Sequence, residues 1–161
     1  MSKQDHTPIP RYREYTGPAL LTQGFRPFFL FAGIWAIVTP GLFLYMFLGQ
    51  VELPTLFDPI AWHYHEMLYG FVAAAVAGFA LTAIPNWTGR LPLQGNTLLC
   101  LVLLWIAGRI SSAFSQYLGA WPSALIDISF LAALAVVTLR EIVAGKNWRN
   151  LPIILAISLF I

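Results

Sequence analysis

Five ionisable residues fall within long apolar stretches of this sequence: His63, His65, Glu66, Arg109 and Asp127. A charged or titratable group in apolar surroundings is costly, so each is a candidate for function. Imidazole is a good ligand for iron, copper and zinc, and a nearby carboxylate can orient a ligating ring. His63 and His65 are therefore candidate metal ligands, with Glu66 in support. Arg109 suits either of two roles. It can pair with Asp127 as a structural ion pair, or hold an anion such as a haem propionate through its planar fork. For His63 the plainer alternative is a hydrogen bond to a loop carbonyl near a helix end.

These groups must be positioned by membrane-length helices. A hydrocarbon core of about 30 Å needs roughly 20 apolar helical residues. Four runs meet that length, at about Phe28–Leu48, Trp62–Ile84, Thr97–Phe114 and Ala124–Val143. Pro40 is expected to kink the first, and Pro85 to end the second. A fifth run, 151–161, is still apolar at its last residue and is expected to be an incomplete helix. Residues 1–23 form a polar tail, in which His6 is expected to be solvated. The fold class is all-α: a polytopic transmembrane helix bundle with four complete spanning helices plus a truncated fifth.

Composition agrees. Hydrophobic residues make up 58% of the 161 and charged residues 10%, with a mean hydropathy of +0.72. So few charges cannot solvate a soluble domain of this size. A net charge of +2 without any basic run argues against nucleic-acid binding. Cys100, the single cysteine, lies in an apolar run and excludes a disulfide framework.

Eight of the nine basic residues fall on one side of the expected topology. They are Lys3, Arg11, Arg13 and Arg26 before the first helix, Arg90 in the second connection, and Arg140, Lys146 and Arg149 around the end of the fourth. The ninth is Arg109, and the other two connections carry none. That bias places the N-terminus in the cytoplasm. Trp62, Trp87, Trp121 and Trp148 are expected to be interfacial anchors.

With this topology the five ionisable residues share the outer third of the membrane. At about 100° per residue, His63, Glu66, Gly70, Ala74, Ala77 and Leu81 fall on one helical face. Glu66 and His63 are therefore expected to point into the bundle. His65 projects roughly 160° away from His63, beside Tyr69. Two histidines so placed on a regular helix cannot bind one metal together. They would need an unwound helix start, separate centres, or only one ligand between them.

Two further stretches lie on the cytoplasmic side: Gly24-Phe25-Arg26-Pro27-Phe28-Phe29 and Pro85-Asn86-Trp87-Thr88-Gly89-Arg90. Their residues suit turns and the lipid headgroup zone, with Arg26 and Arg90 as supporting groups. Taken in order with Trp62-His63, His65-Glu66-Met67 and Gly70-Phe71, and with Gly108-Arg109, they resemble the NnrS family of bacterial haem- and copper-containing membrane proteins. The resemblance runs from about residue 24 to about residue 110.

The resemblance implies a longer parent chain, haem and copper as cofactors, and His63 and His65 as the family's paired histidines. Family histidines on later helices have no counterpart here. It also implies a multi-pass protein of the bacterial inner membrane in the nitric-oxide and nitrosative-stress response, surrounded by lipid and by further helices of a longer chain or a partner subunit. It implies no turnover reaction. Two other functions fit the same residues. One is a transporter or proton-coupled channel in which Glu66, Arg109 and Asp127 form an ion path. The other is a non-catalytic membrane assembly subunit, in which the polar residues fix helix register.

Overall fold

The computed structural model describes residues 15–158, and among these the regular structure is helical throughout. His6, Lys3, Arg11, Arg13 and the last three residues of the fifth apolar run lie outside the described residues. The four long helices are α1 (Phe25–Phe47), α2 (Pro59–Thr88), α3 (Asn96–Ala113) and α5 (Ala120–Ala144). A short α4 (Ser115–Leu118) joins α3 to α5, and α6 (Leu151–Ser158) follows. The four long helices are each long and apolar enough to cross a membrane.

Local chemistry sets where each helix begins and ends. The second helix starts three residues before its expected boundary because Asp58 caps it. The Asp58 carboxylate accepts from Ile60 N and Ala61 N at 2.9 Å, and Pro59 occupies the first turn, where a missing N–H costs nothing. At the other end Pro85 does not stop α2, as was expected of it. A proline removes one N–H bond without redirecting the chain. The helix runs on to Thr88 and ends at Gly89, whose φ of +68° is left-handed. Likewise α1 continues through Pro40 to Phe47.

Within α2, residues Glu66–Val72 form a π-helical turn. Such turns are rare and tend to mark functional sites. Here the widened turn is held from outside: Trp105 Nε1 of α3 donates to the Gly70 carbonyl at 3.0 Å.

The helices pack through small residues and a few large ones. Ala74, Ala77 and Ala80 on α2 are buried, alongside Phe28 from α1, Leu98 from α3 and Leu134 from α5. α1 packs on α2, α2 and α3 pack on α5, and α6 packs on the end of α5. Outward-facing positions are also apolar, including Leu30 and Ile37 on α1, Leu103 on α3, and Leu125 and Val136 on α5. A surface of this kind is solvated by hydrocarbon rather than water, and the chain is a membrane protein. Of the expected anchors, Trp121 and Trp148 are exposed. Trp62 is not an anchor; it is 1% exposed and part of the packed interior. The earlier start of α2 draws it below the helix end.

The loop before α2 is tied down. Thr55 Oγ1 donates to Ser112 O at 2.9 Å and lies 3.2 Å from Ser115 Oγ, which accepts from Leu56 N at 2.8 Å. Gln116 N donates to Pro54 O at 3.0 Å. Thr55→Val keeps the shape and removes the hydroxyl. It should lower stability by about 1 kcal/mol and speed proteolysis within residues 49–58. Unchanged thermal unfolding and cleavage would show that other contacts hold this loop.

Candidate functional site

Four of the five ionisable residues form a closed ring of charge in the interior. Arg109 on α3 donates through Nη1 to Glu66 Oε2 at 2.9 Å, and through Nη2 to Asp127 Oδ1. His65 completes the ring from the other side. Its Nδ1 lies 3.2 Å from Glu66 Oε1, and its Nε2 lies 2.9 Å from Asp127 Oδ2. Trp35 Nε1 on α1 adds a bond to Glu66 Oε2 at 2.9 Å. Each of the four long helices thus contributes a side chain. Three members are buried, Glu66 at 0% exposed, Arg109 at 5% and Asp127 at 7%, and His65 is partly exposed at 16%.

Charges taken this far from water are stable only when each is paired and hydrogen-bonded. Every charge in the ring faces an opposite one, while the buried Nε–H of Arg109 is left without a partner. A doubly protonated His65 would donate to one carboxylate oxygen from each ring nitrogen. In that form the ring holds two positive groups against two carboxylates and balances. The His65 ring is also sandwiched between Phe57 and Tyr69, with centroids 4.8 Å away on each side. Aromatic faces favour a cationic partner in that position.

The expected inward face of α2 is buried at Glu66, Gly70, Ala74, Ala77 and Leu81. His63 turns from it toward α1, and His65 turns toward α3 and α5. His65 does lie beside Tyr69, as its position on the helix implied, but that side of α2 faces the charge ring and not lipid. His63 stacks on Phe43 of α1, with centroids 4.4 Å apart. Its Nδ1 is buried and has no hydrogen-bond partner. The two histidines therefore stand in different surroundings, as two positions apart on a regular helical turn require.

The pairing of Arg109 with Asp127 is present, and Glu66 shares the guanidinium. Nη1 and Nη2 each donate to a carboxylate, and the buried Nε–H of Arg109 has no partner. Arg26 and Arg90 are not part of this centre. Arg26 donates to the Ala19 carbonyl at 3.0 Å before α1. Arg90 pairs with Glu141 beyond the far end of α2. Sequence reasoning missed Trp35, Trp105 and Phe57, because an aromatic residue in an apolar run carries no mark of its partner.

Beside the ring lies a cavity of about 330 Å³ between the loop before α2, α2 itself, the end of α3, α4 and the start of α5. His65, Asp127 and Tyr69 form part of its wall.

The family description "NnrS protein" matches residues 19–161. The chain belongs to the NnrS family. The match takes in the second half of the sequence, beyond the stretch whose motifs carried the resemblance. No curated protein and no solved structure matches the chain.

NnrS membership raises the question whether these residues fit haem or copper. Among the described residues no group of three or more His, Cys, Asp and Glu side chains is arranged to hold a metal ion. His65 has both ring nitrogens committed to carboxylates. His63 is different: a buried, unpartnered imidazole nitrogen is a suitable donor to a metal ion. What fits is one donor, His63, with the other ligands supplied from elsewhere.

Proposed function

We propose that this NnrS chain is an integral membrane metalloprotein of the nitric-oxide response, lying in the bacterial inner membrane with its N-terminus in the cytoplasm. His63 supplies a ligand to haem iron or copper, and His65 belongs to the ring that fixes the start of α2. The observation that carries this reading is the unpartnered Nδ1 of His63 in a buried position. An unpaired polar atom there costs about 1–3 kcal/mol, which ligation would relieve. The metal, when bound, supplies an open coordination position for nitric oxide. The chain's own part is to hold His63 against Phe43 and to keep its helix turn in place through Glu66, Trp35 and Arg109. Orientation rests on the distribution of Lys and Arg.

The test is the haem and copper content of the full gene product, purified from cells supplied with both. It is compared with His63→Ala and His65→Ala variants of matched helicity. We expect His63→Ala to lose at least half of one metal, and His65→Ala to keep its metal while unfolding more easily. Equal metal in the His63→Ala variant and the wild type would overturn the assignment of His63. Absence of both metals from the wild type would overturn the metalloprotein reading itself.

The closed pairing of Arg109 speaks against an ion path through Glu66 and Asp127. A permeant ion passing between Glu66 and Asp127 would have to displace the guanidinium that bridges them.

A further inference from the structure

The cavity beside the charge ring is not needed by the metal ligand proposed above, and its lining says what it would take. Leu56, Phe57, Ala120, Ala124 and Ile128 make most of its wall apolar. Three rings, Phe57, His65 and Tyr69, are stacked with interplanar angles of 30° and 23°, and all three border the cavity. They offer the packed edge of an aromatic stack to whatever lies there. At about 330 Å³ the space is at the small end of the range for small-molecule sites, roughly 300–1,000 Å³.

The polar groups are few and specific. Each oxygen of Asp127 already accepts one hydrogen bond and keeps a free lone pair. Ser112 Oγ lies 3.5 Å from His65 Nδ1 and its O–H is directed to the Glu66 carboxylate, so what it has to spare is a lone pair. An anion here would face the Asp127 carboxylate in an apolar wall, at high cost. A cation would find that carboxylate already offset by Arg109 and His65. A neutral hydroxyl group donates to the free lone pair of Asp127 without adding charge to the wall.

We propose that this cavity binds a neutral, mostly apolar molecule of about one ring in size that carries a hydroxyl, the chemistry of a phenol or a hydroquinone headgroup. The ring packs beside Tyr69 and Phe57, and its hydroxyl is recognised by Asp127. The site is distinct from His63, and the proposal does not depend on bound metal.

The probes are 4-fluorophenol and fluorobenzene, which differ by the hydroxyl alone. Each is titrated, by fluorine NMR, into the full chain in lipid nanodiscs, with empty nanodiscs subtracted to remove partition into lipid. We expect saturable binding of 4-fluorophenol, tighter than fluorobenzene by about fivefold or more, the worth of one buried hydrogen bond. Ala124→Leu and Ala120→Leu each add bulk at the exposed edge of the cavity on α5 and should weaken that binding at least tenfold while helicity is unchanged. Two variants are used so that a misfolded one does not decide the result. Absence of saturable binding would overturn the site. Equal binding of the two probes would overturn recognition of the hydroxyl. Full binding in both folded leucine variants would overturn the location. Loss of metal in the companion assay leaves all three readouts intact, so the two proposals fail separately.

Discussion

Replacing Arg109 with methionine should cost about 3–5 kcal/mol of stability, because it leaves buried carboxylates without their countercharge. Methionine keeps the volume of the chain and removes only the fork. Glu66 would then retain Trp35 and His65, and Asp127 would retain His65 alone. Neither set replaces a guanidinium that reaches both carboxylates at once. Arg109→Lys should recover only part of the loss, since a single ammonium cannot span Glu66 and Asp127 in the same geometry. Unfolding in mixed detergent measures both. The companion Glu66→Gln variant sharpens the test. If Arg109 and Glu66 act together, the double variant is less destabilised than the two single losses added. Additive losses would show that the ring is a set of independent contacts.

The ring explains how far the sequence could be read. Helix number, the membrane setting and the common depth of Glu66, Arg109 and Asp127 followed from run length and charge placement. Those properties depend on one chain segment at a time. The partners of His65 were not legible in the same way. Its position on α2 could be computed, but which side of α2 meets α3 and α5 depends on packing between helices. The π-helical turn was equally hidden, because nothing in Glu66–Val72 alone distinguishes it from an ordinary apolar helix. Its support is Trp105, on another helix. Trp62 shows the same limit from a different direction. Its place near a run boundary suggested an anchor, and the Asp58 cap, which starts the helix earlier, buries it. The Asp58-Pro59 pair was the signal that would have moved that boundary.

Gly70→Ala should destabilise the protein by about 1–3 kcal/mol, although alanine is the better helix former by about 1 kcal/mol. The sign is decided by the space around it. A methyl at Gly70 would overlap the Trp35 indole and stand 3.2 Å from Arg109 Nη1. Both neighbours are bonded to Glu66 and have no free direction in which to retreat. Either Trp35 gives up its bond to Glu66, or the π-helical turn shifts and loses the Trp105 bond to the Gly70 carbonyl. Gly33→Ala on α1 is the matched control, because nothing lies within 4 Å of the added methyl there. That substitution should be neutral or slightly stabilising. The measurement is the shift in unfolding midpoint for the two variants under one set of detergent conditions. Loss at Gly70 with none at Gly33 would locate the constraint in the crowded turn of α2. Equal behaviour at both positions would show that the contact of α1 with the turn yields easily, and that the charge ring tolerates displacement of its Trp35 partner.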